Sequence, residues 1–314
     1  MKSDIGILPV EPEFISRFRQ HQGWWRAFVL NEEQGRYWDA KNKLFKPVCN
    51  RISNGETTFK NFLSAEIVNT VKCSLDLNKE TKSGMIDEDR LFNNLLSSQP
   101  LAFNFFGWFK SYPEIALAFL KSLRPEITEV RDVVFEFAPT STKDKSAFDF
   151  GFVVKSNSQI GFIGFECKYT DTFSYRRPKT NIFYGDAGDK NYMHYNELYT
   201  LNRNRFPQDY FSYIRNPYFN QLFRNELLAV QLKSDFDFAI TGLFCHHDDA
   251  PTINAGKQFK KMIGNGIDDF ILMPYADYFE RIQKLNLPWQ QRELVMVLWA
   301  RYCGLKLSNE NLND

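Results

Sequence analysis

The sequence predicts an α/β protein, a three-layer α/β/α sandwich around a central mixed sheet. Three observations carry that expectation. Three apolar, β-rich runs follow one another between residues 131 and 170 with only short polar connections, the pattern of an antiparallel meander. Helical periodicity precedes them. After residue 216 helix and strand patterns alternate, which calls for crossover connections and helices on both faces of the sheet.

The elements follow in order. Residues 12–30 read as an amphipathic helix rich in Arg, Gln and Trp, and residues 31–60 as polar and irregular. A second helix is expected around Phe62–Lys72. The polar stretch LNKETKSGMIDED leads to helical pattern at 88–98 and 113–123, with Pro113 suited to a first helical position. RDVVFEFA, from residue 131, alternates and is rich in β-formers. The turn PTSTKDKS joins it to AFDFGFVV, and SNSQ joins that to IGFIGFECKYT. An aromatic and polar insertion fills 170–215. NPYFNQLFRNELLAVQLK then reads as a helix, with Asn216 as cap and Pro217 in its first turn. Buried strands are expected at 237–245 and 268–275 with a helical segment at 255–263 between them, and helices at 276–286 and 289–303 close the chain. Residues 1–84 are expected to form a helical extension packed on a main domain of 85–314.

Composition narrows the functions. The 39 Lys and Arg exceed the 38 Asp and Glu by one, so any anionic partner must meet a local patch rather than a basic coat. The 31 Phe, 14 Tyr and 6 Trp either fill a large core or line a surface that stacks on planar ligands. Five scattered cysteines without CxxC spacing argue against a zinc ribbon or disulfide framework and for a reducing compartment. No apolar run suits a membrane span or secretion signal, so a soluble, cytoplasmic protein is expected. P-loop and GxSxG motifs are missing.

The chemistry concentrates in the meander. Glu166 and Lys168 interrupt an apolar strand and, with a period of two, share one face, while Cys167 takes the other. Asp149 sits between Phe148 and Phe150 in the preceding strand, and hairpin pairing brings it beside Glu166. Two carboxylates and an ammonium inside a sheet are costly to desolvate unless paired or bound to metal.

Asp149, sixteen residues, then Glu166-Cys167-Lys168 resembles the PD-(D/E)XK nuclease superfamily, with its restriction-endonuclease-like fold. Asp39-Ala-Lys41 and Glu80-Thr-Lys82 also match [DE]-x-K, but only Glu166-Cys-Lys168 ends an apolar strand preceded by a strand with its own central acid. The element order over residues 85–245 agrees, and the Pro of the family name departs, Ala147 and Phe148 preceding Asp149. The resemblance implies a metal-dependent nuclease acting on DNA, most simply double-stranded. Asp149 and Glu166 would hold Mg²⁺ or Mn²⁺, and Lys168 would orient the attacking water and offset charge on the phosphate. Glu136 is the candidate further metal ligand, Glu114 its rival and Glu66 a weaker one. Gln221 and Arg224 match loosely the residues that such nucleases present from the following helix. A catalytically inactive nucleic-acid-binding or assembly module on the same fold is the alternative. A homodimer is a further expectation, since cutting both strands often needs two sites.

Between Lys168 and Arg224 nine Lys and Arg face five Asp and Glu, a local net of +4, among 15 Phe and Tyr. Arg176, Arg177, Lys179, Arg203, Arg205 and Arg215 are the candidate nucleic-acid contacts there. His246, His247, Asp248 and Asp249 look like a metal site. Strand neighbours point to opposite faces, however, and no partner His stands at a matching spacing, so a polar strand-end loop is expected. Glu226 falls in the apolar stripe of its helix without an evident reason.

Overall fold

The computed structural model describes residues 10–81, 84–139, 146–171, 190–206, 218–263 and 269–309. Helix α1 (Glu13–Trp24) runs into a π turn, Trp25–Val29. Residues 31–60 are more ordered than expected. β1 (Arg36–Asp39) and β2 (Leu44–Pro47) form a hairpin, its loop held by the Asp39 carboxylate, which accepts from the Lys41 and Asn42 amides at 3.0 and 3.2 Å. Both strands are largely exposed, so no apolar alternation marks them in sequence. The short helix α2 (Gly55–Thr58) follows.

The second expected helix is longer than its sequence pattern: α3 is Ala65–Thr81, burying Ile67, Thr70, Val71 and Leu75 on one face while LNKET continues it on the wet side. The pattern at 88–98 divides. α4 (Glu88–Asn93) starts at Asp87, whose side chain accepts the Arg90 amide at 3.1 Å, and α5 (Ser98–Phe106) is buried at all nine positions. A helix buried all round has no amphipathic signature, which is why its apolar run escapes a periodicity test. α6 is Pro113–Leu123, with proline in its first turn as expected.

β3 (Ile127–Phe137), β4 (Phe148–Ser156), β5 (Gln159–Lys168), β6 (Phe238–Cys245) and β7 (Phe270–Pro274) make one five-stranded sheet in that order. The first three are antiparallel, with Phe135 opposite Phe150 and Phe150 opposite Phe165. The last three are parallel, with Glu166 level with Leu243 and Lys168 with Cys245. The insertion contributes α7 (Lys190–Leu201). The helix expected after residue 216 is α8 (Asn220–Gln231), and the expected cap Asn216 and Pro217 lie outside the described residues. α9 (Ala250–Met262), α10 (Tyr275–Gln283) and α11 (Trp289–Tyr302) complete the layers.

One face of the sheet packs against α1, α3, α5, α6, α10 and α11. Phe106 stacks on Phe150 with ring centroids 3.9 Å apart, and Phe103 on Phe135 at 4.1 Å. The other face carries α7, α8 and α9 around Phe162, Leu243, Phe223 and Phe259. This is the predicted three-layer sandwich, and many of the rings are spent on its two cores. No helix among the described residues is long and apolar enough to cross a membrane.

Candidate active site

The strand pairing positions the acids. Phe150 opposite Phe165 sets Asp149 against Glu166 on the next rung. The two-residue period puts Glu166 and Lys168 on the α8 side, with Lys168 Nζ 2.9 Å from Glu166 Oε1, and sends Cys167 into the opposite core. Glu166 and Lys168 are 6% and 4% exposed. Asp149 is half-buried, and its Oδ2 accepts the Cys167 amide at 2.5 Å, closing the end of the β4–β5 ladder with a side chain.

Glu136 joins them from β3, between the rungs Phe135–Phe150 and Phe137–Phe148. Its backbone is left-handed, with φ +47°, a conformation that disfavours a side chain and re-aims this one. Gln99, at the start of α5, donates from Nε2 to Glu136 Oε1 at 2.5 Å and to the Met85 carbonyl at 3.1 Å. Gly84, at φ +74°, passes so close that a Cβ there would stand 2.2 Å from the Glu136 carbonyl oxygen.

A cavity of about 250 Å³ opens among Glu136, Asp149, Glu166 and Lys168. Arg90 and Gln99 form one wall, Gln221 and Arg224 another. The geometry thus brings Gln221 and Arg224 to the acids. Asn225 is beside them on α8, and its Nδ2 donates to Glu166 Oε2 at 2.8 Å, so both oxygens of Glu166 are held.

Other candidates fall elsewhere. Glu114 is exposed in the first turn of α6 and does not line the cavity, and Glu66 bonds the Tyr112 hydroxyl at 3.3 Å beside a separate pocket. Arg205 bridges Glu226 and Asp269, a structural ion bridge rather than a free phosphate contact, and Arg203 is exposed away from the cavity. Glu226 has its explanation: it is 1% exposed, paired with Arg205, and accepts the Thr241 hydroxyl at 2.6 Å. Arg176, Arg177, Lys179 and Arg215 lie outside the described residues. A larger cavity, about 610 Å³, meets Arg19, Lys46 and Arg51, but each of these is paired with an acid (Glu11, Asp39, Asp89) and no acid lines it.

The electrostatics follow from crowding. Burial, then the charges of Glu166 and Glu136, push the Asp149 carboxyl well above the usual carboxylate range. Burial pushes Glu136 up to about 7, with Glu166 adding to the rise and the Gln99 bond opposing it. Burial acts to discharge Lys168, but Asp171, Glu166 and Asp149 outweigh it and hold the ammonium. Four carboxyl groups, Glu136, Asp149, Glu166 and Asp171, thus line one cavity with one buried ammonium. Hard oxygens in excess over positive charge suit Mg²⁺ or Mn²⁺. Among the described residues no three His, Cys, Asp or Glu ligand atoms at this cavity lie within 4.8 Å of one another. That spacing fits an ion held by one or two carboxylates and completed by water, as Mg²⁺ is.

A sheet of this order, with acids on adjoining central strands and a lysine two residues beyond one of them, defines a structural class. A family model of the PD-(D/E)XK nuclease superfamily matches residues 9–304, and the chain belongs to that superfamily. No curated protein and no solved structure matches it.

Sequence reasoning missed Gln99, Asn225 and Arg90. Asn225 was within reach, because Gln221, Arg224 and Asn225 stand at i, i+3 and i+4 and must share a helix face. Gln99 gave no such signal; only the packing of α5 against β3 brings it to Glu136.

Proposed function

We propose that this protein hydrolyses phosphodiester bonds in DNA, using Mg²⁺ or Mn²⁺ held by Asp149 and Glu166 with Glu136 in support. One observation carries the reading: four carboxyl groups crowd a cavity with a single buried ammonium, and burial, with their mutual repulsion added to it, drives Asp149 and Glu136 towards the protonated form. A divalent cation relieves that repulsion. When bound, it acidifies a water and faces the phosphoryl oxygens with positive charge.

The chain's own residues do the rest. Lys168, kept charged, donates into the same cavity, where it orients the water and opposes the negative charge that grows on the phosphate. Asn225 and Lys168 fix the two oxygens of Glu166, and Gln99 fixes Glu136. Arg90, Arg224 and Gln221 rim the cavity as contacts for the sugar–phosphate backbone. Double-stranded DNA is the substrate we assign, cut by a homodimer that presents two such cavities. The setting we assign is the cytoplasm, in keeping with five cysteines that are all free.

The test is plasmid cleavage by the purified protein with Mg²⁺ or Mn²⁺. Asp149→Asn, Glu166→Gln and Lys168→Ala are each expected to lower the rate about a hundredfold or more. Retardation of the plasmid on a gel without any cutting would assign the protein instead to binding or assembly.

A further inference from the structure

The run His246–Asp249, set aside in sequence for want of a partner, has one in the fold. It follows β6 on the face of the sheet opposite Glu166. His246 is 1% exposed, its ring 4.7 Å from Phe18 and 5.4 Å from Tyr275 by centroids. The chain turns at once, so the rings of His246 and His247 do not diverge as on a strand but stack at 4.0 Å, tilted by 26°. Cys303, just past α11, meets them: one ligand atom from each of His246, His247 and Cys303 lies within 4.8 Å of the other two. No other His, Cys, Asp and Glu trio among the described residues does this.

A second observation is independent of that spacing. His246 Nδ1 accepts the Asp248 amide at 3.0 Å, while its Nε2 is buried with no well-formed hydrogen bond, only a weak contact to the Tyr302 backbone. A buried polar atom left so is rare and costly.

We propose that His246, His247 and Cys303 bind a zinc ion that staples the end of β6 to the end of α11. Two imidazoles and a thiolate are a borderline-soft donor set that suits Zn²⁺ and not Mg²⁺. Zn–N of about 2.0 Å and Zn–S of about 2.3 Å put tetrahedral ligand atoms roughly 3.3–3.5 Å apart, inside the 4.8 Å within which the three atoms lie. His247 is exposed and Cys303 half-buried, so both have room to close that gap. The fourth position falls to water or to Asp248, whose Oδ1 is 4.0 Å from His247 Nε2. On binding, the Cys303 thiol gives its proton to solvent. The His246 ring proton moves from Nε2 to Nδ1, and the Asp248 amide, in an exposed turn, swings to water. The sheet separates this site from Asp149 and Glu166, so neither depends on the other.

Metal-stripped full-length protein titrated with Co²⁺, and separately with Zn²⁺, tests this. The expected result is a thiolate-to-cobalt charge-transfer band that saturates at one equivalent per chain, apart from any Co²⁺ held by the carboxylates, its loss on adding Zn²⁺, and a higher melting temperature with Zn²⁺. Cys303→Ser should abolish the band and weaken Zn²⁺ binding at least about a hundredfold, and His247→Ala, at an exposed position, should weaken it similarly. Asp149→Asn should leave the band intact, which separates this site from the carboxylates. A band that survives Cys303→Ser, or the lack of any band together with an unchanged melting temperature in Zn²⁺, overturns the proposal.

Discussion

Burial and neighbouring carboxylates raise Asp149 above the ordinary carboxylate range and Glu136 to about 7, and this has a thermodynamic consequence. A carboxyl whose folded pKa is raised binds its proton more tightly in the folded chain than in the unfolded one. Its contribution therefore favours folding in acid and is lost as the pH climbs from the ordinary carboxylate value, through about 7 for Glu136. That shift, from 4.5 to about 7, corresponds to about 3 kcal/mol at most, part of it shared with Asp149 and Glu166. In chelator the melting temperature is thus expected to be lower near pH 8 than near pH 5, and Glu136→Gln should flatten the difference. Mn²⁺ should restore stability near pH 8 and do little near pH 5, where protons compete for the same oxygens. Metal-free protein that melts higher near pH 8 would refute the crowding argument. Gln99→Ala and Asn225→Ala leave the acids present but unheld. Each is expected to cut plasmid cleavage tenfold to a hundredfold, with the folded state intact by circular dichroism.

At the scale of elements, α8 is anchored to its surroundings by a buried ion pair. Arg205 reaches from the turn after α7 to Glu226, which is 1% exposed. Arg205→Ala strands that carboxylate and is expected to cost about 3–5 kcal/mol in urea unfolding, and adding Glu226→Gln should return part of it. The same helix shows what sequence can carry. Its amphipathic stripe, the alternation of β3 to β5, and charges intruding on β5 are local patterns with a fixed period. They expose the sandwich and the Asp149–Glu166–Lys168 trio together. Elements without contrast between faces leave no such trace. α5 is buried on every side and the β1–β2 hairpin is wet on most of its length, so neither is legible. Gln99 meeting Glu136 and Cys303 meeting His246 are products of tertiary packing between distant segments, which periodicity does not encode.

Across the whole molecule the described residues of the first 84 interlock with the rest. Phe18, Ile67 and Val71 share the cluster that holds Phe150 and Phe165. Arg301, with no exposure, donates to the Asn61 carbonyl at 2.7 Å and to its Oδ1 at 2.5 Å, and His21 meets the Ser308 hydroxyl at 3.0 Å. A chain begun at residue 85 leaves that guanidinium buried without its acceptors and opens the core, so it is expected to be insoluble or to lose its cooperative melting transition. A soluble, cooperatively folded truncation would instead make the first segment a separable appendage. The cavity itself is lined by residues from Met85 to Arg224, drawn from both layers of helices and three strands. A nascent chain therefore cannot complete the cavity while α8 is still inside the ribosome's exit tunnel. Whatever chemistry the cavity performs waits until synthesis is well past its midpoint.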